Sequence, residues 1–168
     1  MSNISKSIEK TLNKLSEEQD SNEQTNYSKT SDEYTNIATI ETEIDKRCFV
    51  KLKIAGCKMK VLADTGAATN TLTPEALYKI SQANRNFCNE YKLEPSKYKT
   101  MTGASKSEIN VKGLTKLRVS VGNEHTTLQF HILDKCSVDA ILGLEGLKKL
   151  NAKINLKTMK IKFGVSAY

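Results

Sequence analysis

Asp64 stands where a side chain could do chemistry. In KVLADTGAATNTL, residues 60–72, it closes the apolar run Val61-Leu62-Ala63 and is followed by Thr65, Gly66, Ala67 and Ala68. A carboxylate at the end of a hydrophobic strand is costly to bury. It either shapes a turn by accepting backbone hydrogen bonds or moves protons as an acid–base group. A second run of interest, DAILG at residues 139–143, lies about 75 residues downstream. Other chemistries find little support. Cys48, Cys57, Cys88 and Cys136 have no close pairing such as CxxC and read as reduced thiols. No zinc-knuckle spacing appears, and the chain has only two histidines, His125 and His131. No metal or cofactor is implied.

The elements that must hold Asp64 are mostly strands. CFVKLKIAG alternates, with Val50, Leu52 and Ile54 in phase, and Gly56 breaks it before KMKVLAD, so residues 48–63 read as a β-hairpin. A helix is expected over about 74–82, because Thr73 is a good N-cap, Pro74 suits the first helical position and Glu75 the first turn. Residues 83–97 have no clear pattern. Tyr98 to Met101 reads as a strand, TGAS as a tight turn, SEINVKG as the returning strand, and LTKLRVSVG and TTLQFHILD as two more. In the last of these Leu128, Phe130 and Ile132 share one face, so His131 is expected at the surface on the other. VDAILGL is a short strand apolar on both faces, LEGLKKLN a short helix with Asn151 as a C-cap, and AKINLKTMKIKFG a closing hairpin, with Ile154 and Leu156, a Lys-Thr turn, then Met159, Ile161 and Phe163. The expected fold is all-β, a small closed barrel with one or two short helices.

Charge divides the chain. Residues 1–45 hold 4 Lys against 10 Asp or Glu, net −6, and residues 46–168 hold 22 Lys or Arg against 9 acids, net +13. The shift sets a boundary near residue 46, with a flexible acidic segment over 1–46 and the folded domain over 47–168. Within the segment Ile4, Ile8, Leu12 and Leu15 have helical spacing, and Ser16 to Thr35 has no periodicity. Only three of the basic residues are Arg, and the lysines alternate along KLK, KMK and KIK, which reads as solvated strand faces; nucleic acid is therefore not expected as a direct ligand. No run of about 18 apolar residues suggests a membrane span. MSNISKSIEK lacks the apolar stretch of a secretory leader, so an intracellular chain is expected.

Together the Asp64-Thr65-Gly66-Ala67 turn after a strand, the capped helix, a hairpin bearing Gly103 and Ile141-Leu142-Gly143 at this distance resemble the retropepsin-like aspartic proteases, over about residues 47–164. The protease segments of LTR retrotransposons are the branch most resembled. The resemblance implies a barrel of the acid-protease type and an aspartic endopeptidase that works as a homodimer on an extended peptide. Such hydrolysis needs one carboxylate as base and another as acid, sharing a proton. This chain has one suitable aspartate, since Asp139 sits in a different motif and no second DTG or DSG occurs. The implied partner of Asp64 is Asp64 of a second copy.

The same resemblance assigns roles to the neighbours. Thr65 would brace the turn across the dimer axis. Gly66 would allow close approach of backbone to the dyad, with Ala67 and Ala68 keeping that approach open. Ile141 and Leu142 would support the turn and line the pocket wall with Ala68, and Gly143 would permit tight packing. The Lys99 to Val111 hairpin would be a flap carrying Met101, Thr102, Gly103 and Ala104 to substrate. The implied substrate is a retroelement Gag-Pol-like polyprotein, cleaved in the cytoplasm or within virus-like particles. Ala68 and Thr69 stand where many retroviral enzymes have acids, and Leu144 where they have an arginine. The alternative is a domesticated or inactive domain of this fold that dimerises or binds peptides.

Overall fold

Residues 37–39 (backbone), 47–103, 106–158 and 160–164 are described in the computed structural model of the chain. The helical spacing of Ile4 to Leu15, the aperiodic stretch 16–35, Ala104 and Met159 lie outside them.

The strands form where side chains alternate. β2 (Phe49–Ile54) and β3 (Cys57–Ala63) pair in register from Phe49↔Leu62 to Ile54↔Cys57. Val50, Leu52, Ile54, Met59 and Val61 turn inward and are buried. Their two-residue turn has Ala55 at φ 47° and Gly56 at φ 88°, the left-handed pair that matches the twist of a tight hairpin. β4 (Thr71–Leu72) leads into α1 (Pro74–Ala83), where Thr73 Oγ1 accepts a hydrogen bond from Ala76 N at 3.2 Å. That cap satisfies one of the amides a helix start leaves open. Ala76, Leu77 and Ile80 bury its inner face. The patternless stretch after it contains a single turn, α2 (Phe87–Glu90), pinned by buried Phe87, and a bridge from Glu94 to Leu114.

β5 (Thr100–Thr102) pairs with the start of β6 (Glu108–Val121), and β6 pairs along its length with β7 (Glu124–Leu133). The two strands expected on either side of Gly113 are one strand of 14 residues with an irregularity between Val111 and Gly113. A Cβ on Gly113 would lie 2.8 Å from the Leu93 side chain and 2.9 Å from Glu94 O. The glycine marks a close backbone approach and not a strand end.

β8 (Ala140–Leu142), α3 (Leu144–Lys149), β9 (Ala152–Asn155) and β10 (Lys160–Phe163) complete the order. Asn151, at φ 48°, follows the actual C-cap Leu150. Leu156, expected on the strand before a Lys-Thr turn, falls in the turn after β9 and is 76% exposed. β1 (Ile37–Thr39), upstream of the boundary read at residue 46, pairs with β10.

The sheet order β2-β3-β8-β4-β7-β6 closes through β2–β6 pairing at Lys53↔Ser120 and Ile54↔Val119, with β5 extending from β6. The result is an all-β barrel of six strands with a few short helices. Its core centres on Leu52, Ile54, Phe130, Ile132 and Leu142, all at most 1% exposed, and α1, α3 and β10 cover it through Leu77, Leu147 and Ile161. No helix among the described residues is long and apolar enough to cross a membrane.

Candidate active site

Asp64 leaves the end of β3 where that strand runs parallel to β8, with Leu62 beside Ile141 and Ala63 beside Leu142. Its N–H donates to Leu142 O at 3.0 Å, continuing the ladder one residue past the strand. Its carbonyl accepts from Ala67 N at 3.3 Å, and its Oδ1 accepts from Gly66 N at 2.8 Å. The turn-forming and the acid–base readings of Asp64 are thus compatible. One carboxylate oxygen shapes the loop, and the half-buried side chain retains a second oxygen for chemistry. Thr65, Gly66 and Ala68 are exposed and Ala67 is half-buried, so the loop presents itself at the surface.

The other side of the loop is held by β8 and α3. Leu144 N donates to Ala67 O at 2.8 Å and Glu145 N to Ala68 O at 3.2 Å. Gly143 lies between them. A Cβ there would run into Thr69 O and sit 2.8 Å from Ala67 O, so only glycine fits without moving the loop. Ile141 is half-buried, and Leu142 and Gly143 are buried. The structure therefore brings Asp64, Thr65, Gly66, Ala67 and Ala68 together with Ile141, Leu142 and Gly143.

Met101, Thr102 and Gly103 belong to a separate hairpin. Met101 pairs with Ile109 and Thr102 with Glu108, Gly103 N donates to Ser107 O at 3.0 Å, and Val111 N donates to Lys99 O at 2.9 Å. The hairpin thus spans Lys99 to Val111, with Gly103 at its turn.

Asp139 faces elsewhere. It precedes β8 and pairs with Lys79 of α1 at 2.6 Å. With Asp64 level with Gly143 in the parallel register, four residues of strand, about 13 Å, separate the two aspartates along β8.

Sequence reasoning missed Asn70. Its side chain is 0% exposed, donates from Nδ2 to Gln129 O at 2.9 Å, and accepts on Oδ1 from Gly143 N at 3.1 Å. Its carbonyl accepts from His131 N at 2.9 Å. One amide thereby joins the loop after Asp64, the strand β7 and the glycine beside the loop. The available signal was a polar residue in the middle of ATNTLT, a stretch that must enter the barrel to reach the buried face of α1.

His131 does face away from Leu128, Phe130 and Ile132, yet it is only 6% exposed, which corrects the surface expectation. The segment before β5 covers it: Ser96 Oγ lies 3.1 Å from Nδ1, and the Tyr98 ring meets the imidazole edge-on at 5.4 Å. Burial pushes the His131 pKa below its ordinary 6.5; the Glu145 carboxylate opposes this and the Lys97 ammonium adds to it.

The family description "PEG10/RTL1 protease domain" matches residues 60–167. The chain belongs to that family. Three solved structures share its fold. The EIAV protease, solved with the inhibitor HBY-793, is 22% identical at a TM-score of 0.50, covering 70% of this chain and 100% of that one. The retroviral protease-like domain of Ddi1 from Leishmania major is 15% identical at 0.50, over 70% and 94%. A retropepsin-like aspartic protease from Rickettsia conorii is 21% identical at 0.50, over 75% and 87%. No curated protein matches by sequence. The chain is thus a retropepsin-like protease domain, and the loop from Asp64 to Ala67 carries the DTGA motif of that resemblance.

Two measurements probe this frame, both on an Asp64→Asn background at one protein concentration. Asn70→Leu leaves the buried Gly143 N–H and the half-buried Gln129 O without their partner, so urea denaturation should show a loss of about 1–3 kcal/mol; a loss below about 0.5 kcal/mol would show that the amide holds nothing. For His131 the folded pKa is depressed, so the unfolded chain binds the extra proton first. Stability is full above the ordinary 6.5 and declines as pH falls from there through the lowered folded value. Melting temperature should therefore drop more from pH 7.5 to pH 5 with His131 present than in His131→Gln, and equal drops would contradict it.

Proposed function

We propose that the chain is an aspartic endopeptidase that acts as a homodimer, with Asp64 of each copy forming one catalytic pair. The observation that carries this reading is the single loop carboxylate. Asp64 is fixed at the surface end of the β3–β8 pair by its own backbone and by Gly66, while Asp139 is engaged by Lys79. A lone carboxylate can activate water but has no acid to protonate the scissile carbonyl. Two copies meeting at a two-fold axis through this exposed loop bring two identical carboxylates together. Such a pair cannot ionise twice without strong repulsion, so it holds one proton, and one aspartate serves as base while the other serves as acid.

The chemistry then proceeds without a covalent intermediate. The ionised Asp64 takes a proton from water as it attacks the carbonyl carbon, and the protonated Asp64 of the partner gives its proton to the carbonyl oxygen. The resulting tetrahedral diol collapses with proton transfer to the leaving amine. Thr65 braces the loop across the axis, and Gly66, Ala67 and Ala68 leave room for an extended substrate backbone. The Lys99–Val111 hairpin acts as a flap, adding strand-like hydrogen bonds to that backbone and excluding water, with Met101, Thr102 and Gly103 nearest to it. Half-buried Ile141 lines the wall, and Leu142, buried in the core, supports the loop from behind. The family assignment favours a retroelement polyprotein as substrate, cleaved in the cytoplasm or in an assembling particle, with no cofactor.

Asp64→Asn keeps the size of the side chain and an oxygen for Gly66 N–H, so the dimer should persist in sedimentation. Peptide cleavage should fall by at least about 10³-fold, the scale of a lost acid–base group. Wild-type activity should be bell-shaped in pH, since one carboxylate must be ionised and the other protonated. Full cleavage by Asp64→Asn would overturn the assignment. A dimer that binds peptides but cleaves none as wild type would instead identify a binding module of this fold.

A further inference from the structure

The segment that leads into the Lys99–Val111 hairpin touches the barrel at few points. Pro95 favours extended backbone at Glu94 before it, and residues 94–99 cross the outside of the β6–β7 pair as a strap. Its start is tied to β6: Glu94 N donates to Leu114 O at 2.7 Å, and Leu114 N donates to Glu94 O at 2.8 Å. Its end is tied to the hairpin, where Lys99 O accepts from Val111 N at 2.9 Å. Between these ties Ser96 is half-buried, while Pro95, Lys97 and Tyr98 are exposed. Ser96 Oγ lies 3.1 Å from His131 Nδ1 and accepts from Tyr98 N at 3.0 Å. The Tyr98 ring meets the imidazole edge-on, with centroids 5.4 Å apart. With one lone pair engaged by Tyr98 N–H, the Ser96 hydroxyl still has its own hydrogen to give to Nδ1 of a neutral ring.

The backbone of His131 is engaged on the opposite side. Its N–H donates to Asn70 O at 2.9 Å, and Asn70 Oδ1 accepts from Gly143 N beside the Asp64 loop. In the sheet His131 stands between Thr71 of β4 and Leu114 of β6. One residue thus reaches the Asp64 loop through its backbone and the strap through its ring. A segment with few buried contacts opens at low cost, so the one inward side chain, Ser96, fixes much of where the strap lies. We propose that His131 is a positioning residue for the flap: through Ser96 it sets where the Lys99–Val111 hairpin stands relative to the Asp64 loop. This rests on the reading of that hairpin as a flap. A flap already held in place loses less freedom when a peptide binds, so the contact strengthens substrate binding and leaves the chemical step at Asp64 unchanged.

Two variants of the full chain remove the contact from opposite sides. Ser96→Ala deletes the hydroxyl on the strap, and His131→Phe deletes Nδ1 while keeping a ring for Tyr98. In each, KM for a peptide substrate should rise about fivefold, the scale of one neutral hydrogen bond, with kcat within about twofold of wild type. The double variant should be no worse than either single one, because both lose the same bond. Ser96→Thr keeps a hydroxyl and should retain the wild-type KM. Amide hydrogen exchange on the Asp64→Asn background reads the flap without any cleavage. There the Gly103 and Val111 amides should exchange about fivefold faster in each variant, while those of Leu117 to Val121 in β6 keep their rates. Additive effects of the two substitutions, a fall in kcat at constant KM, unchanged exchange in the hairpin, or faster exchange spread evenly along β6 would overturn the proposal. A wild-type chain that cleaves no peptide would defeat the protease reading, and the exchange rates would still decide whether His131 holds the hairpin.

Discussion

The parallel pairing of β3 with β8 is the constraint on which the site depends. It joins two strands separated by nearly the whole barrel in sequence, and it leaves Asp64 with an N–H that must find a carbonyl beyond the strand end. Leu142 O supplies it at 3.0 Å. Once Asp64 is fixed there, its loop must turn back at once, and the loop carbonyls of Ala67 and Ala68 meet the amides of Leu144 and Glu145. Gly143 is required because the loop backbone occupies the space a side chain would need. Asn70 completes the assembly by binding both Gly143 and β7. The DTGA and ILG motifs are therefore two halves of one hydrogen-bonded unit, and their distance in sequence reflects the strands required to close the barrel between them.

Local chemistry was legible in the sequence; contacts across the barrel were not. The β2–β3 hairpin followed from alternation, and α1 from Thr73, Pro74 and Glu75, because caps and period act within a few residues. Gly113 was misread as a strand end, since a glycine looks the same whether it ends a strand or admits Leu93 and Glu94 at close range. His131 was placed on the correct face, but the cover supplied by Ser96 and Tyr98 comes from about 35 residues away with no pattern to announce it. Leu156 had the spacing of a core residue and fell one position too late to pair. Asn70 and the Lys79–Asp139 ion pair depend on register between distant strands and helices, which no window of sequence contains. Asp64 was singled out through its motif context and not through any property visible in the residue alone.

The charge of the molecule is as segregated as its hydrophobicity. The barrel turns Lys and Arg outward on β2, β3 and β6, the first 45 residues carry ten of the nineteen acids, and the loop that holds Asp64 is nearly free of charge apart from that residue. A catalytic pair that shares a proton favours mildly acidic conditions, whereas buried His131 makes the fold less stable as the medium becomes acidic. The same barrel thus sets opposing limits on the pH at which such an enzyme would work best.

The most direct test of a shared site is to mix wild-type chain with Asp64→Asn in varying proportion, at fixed total concentration and after subunit exchange. If each active centre requires Asp64 from both copies, cleavage should fall as the square of the wild-type fraction. A fall in direct proportion to that fraction would show that one chain carries a complete site, and would contradict the central claim.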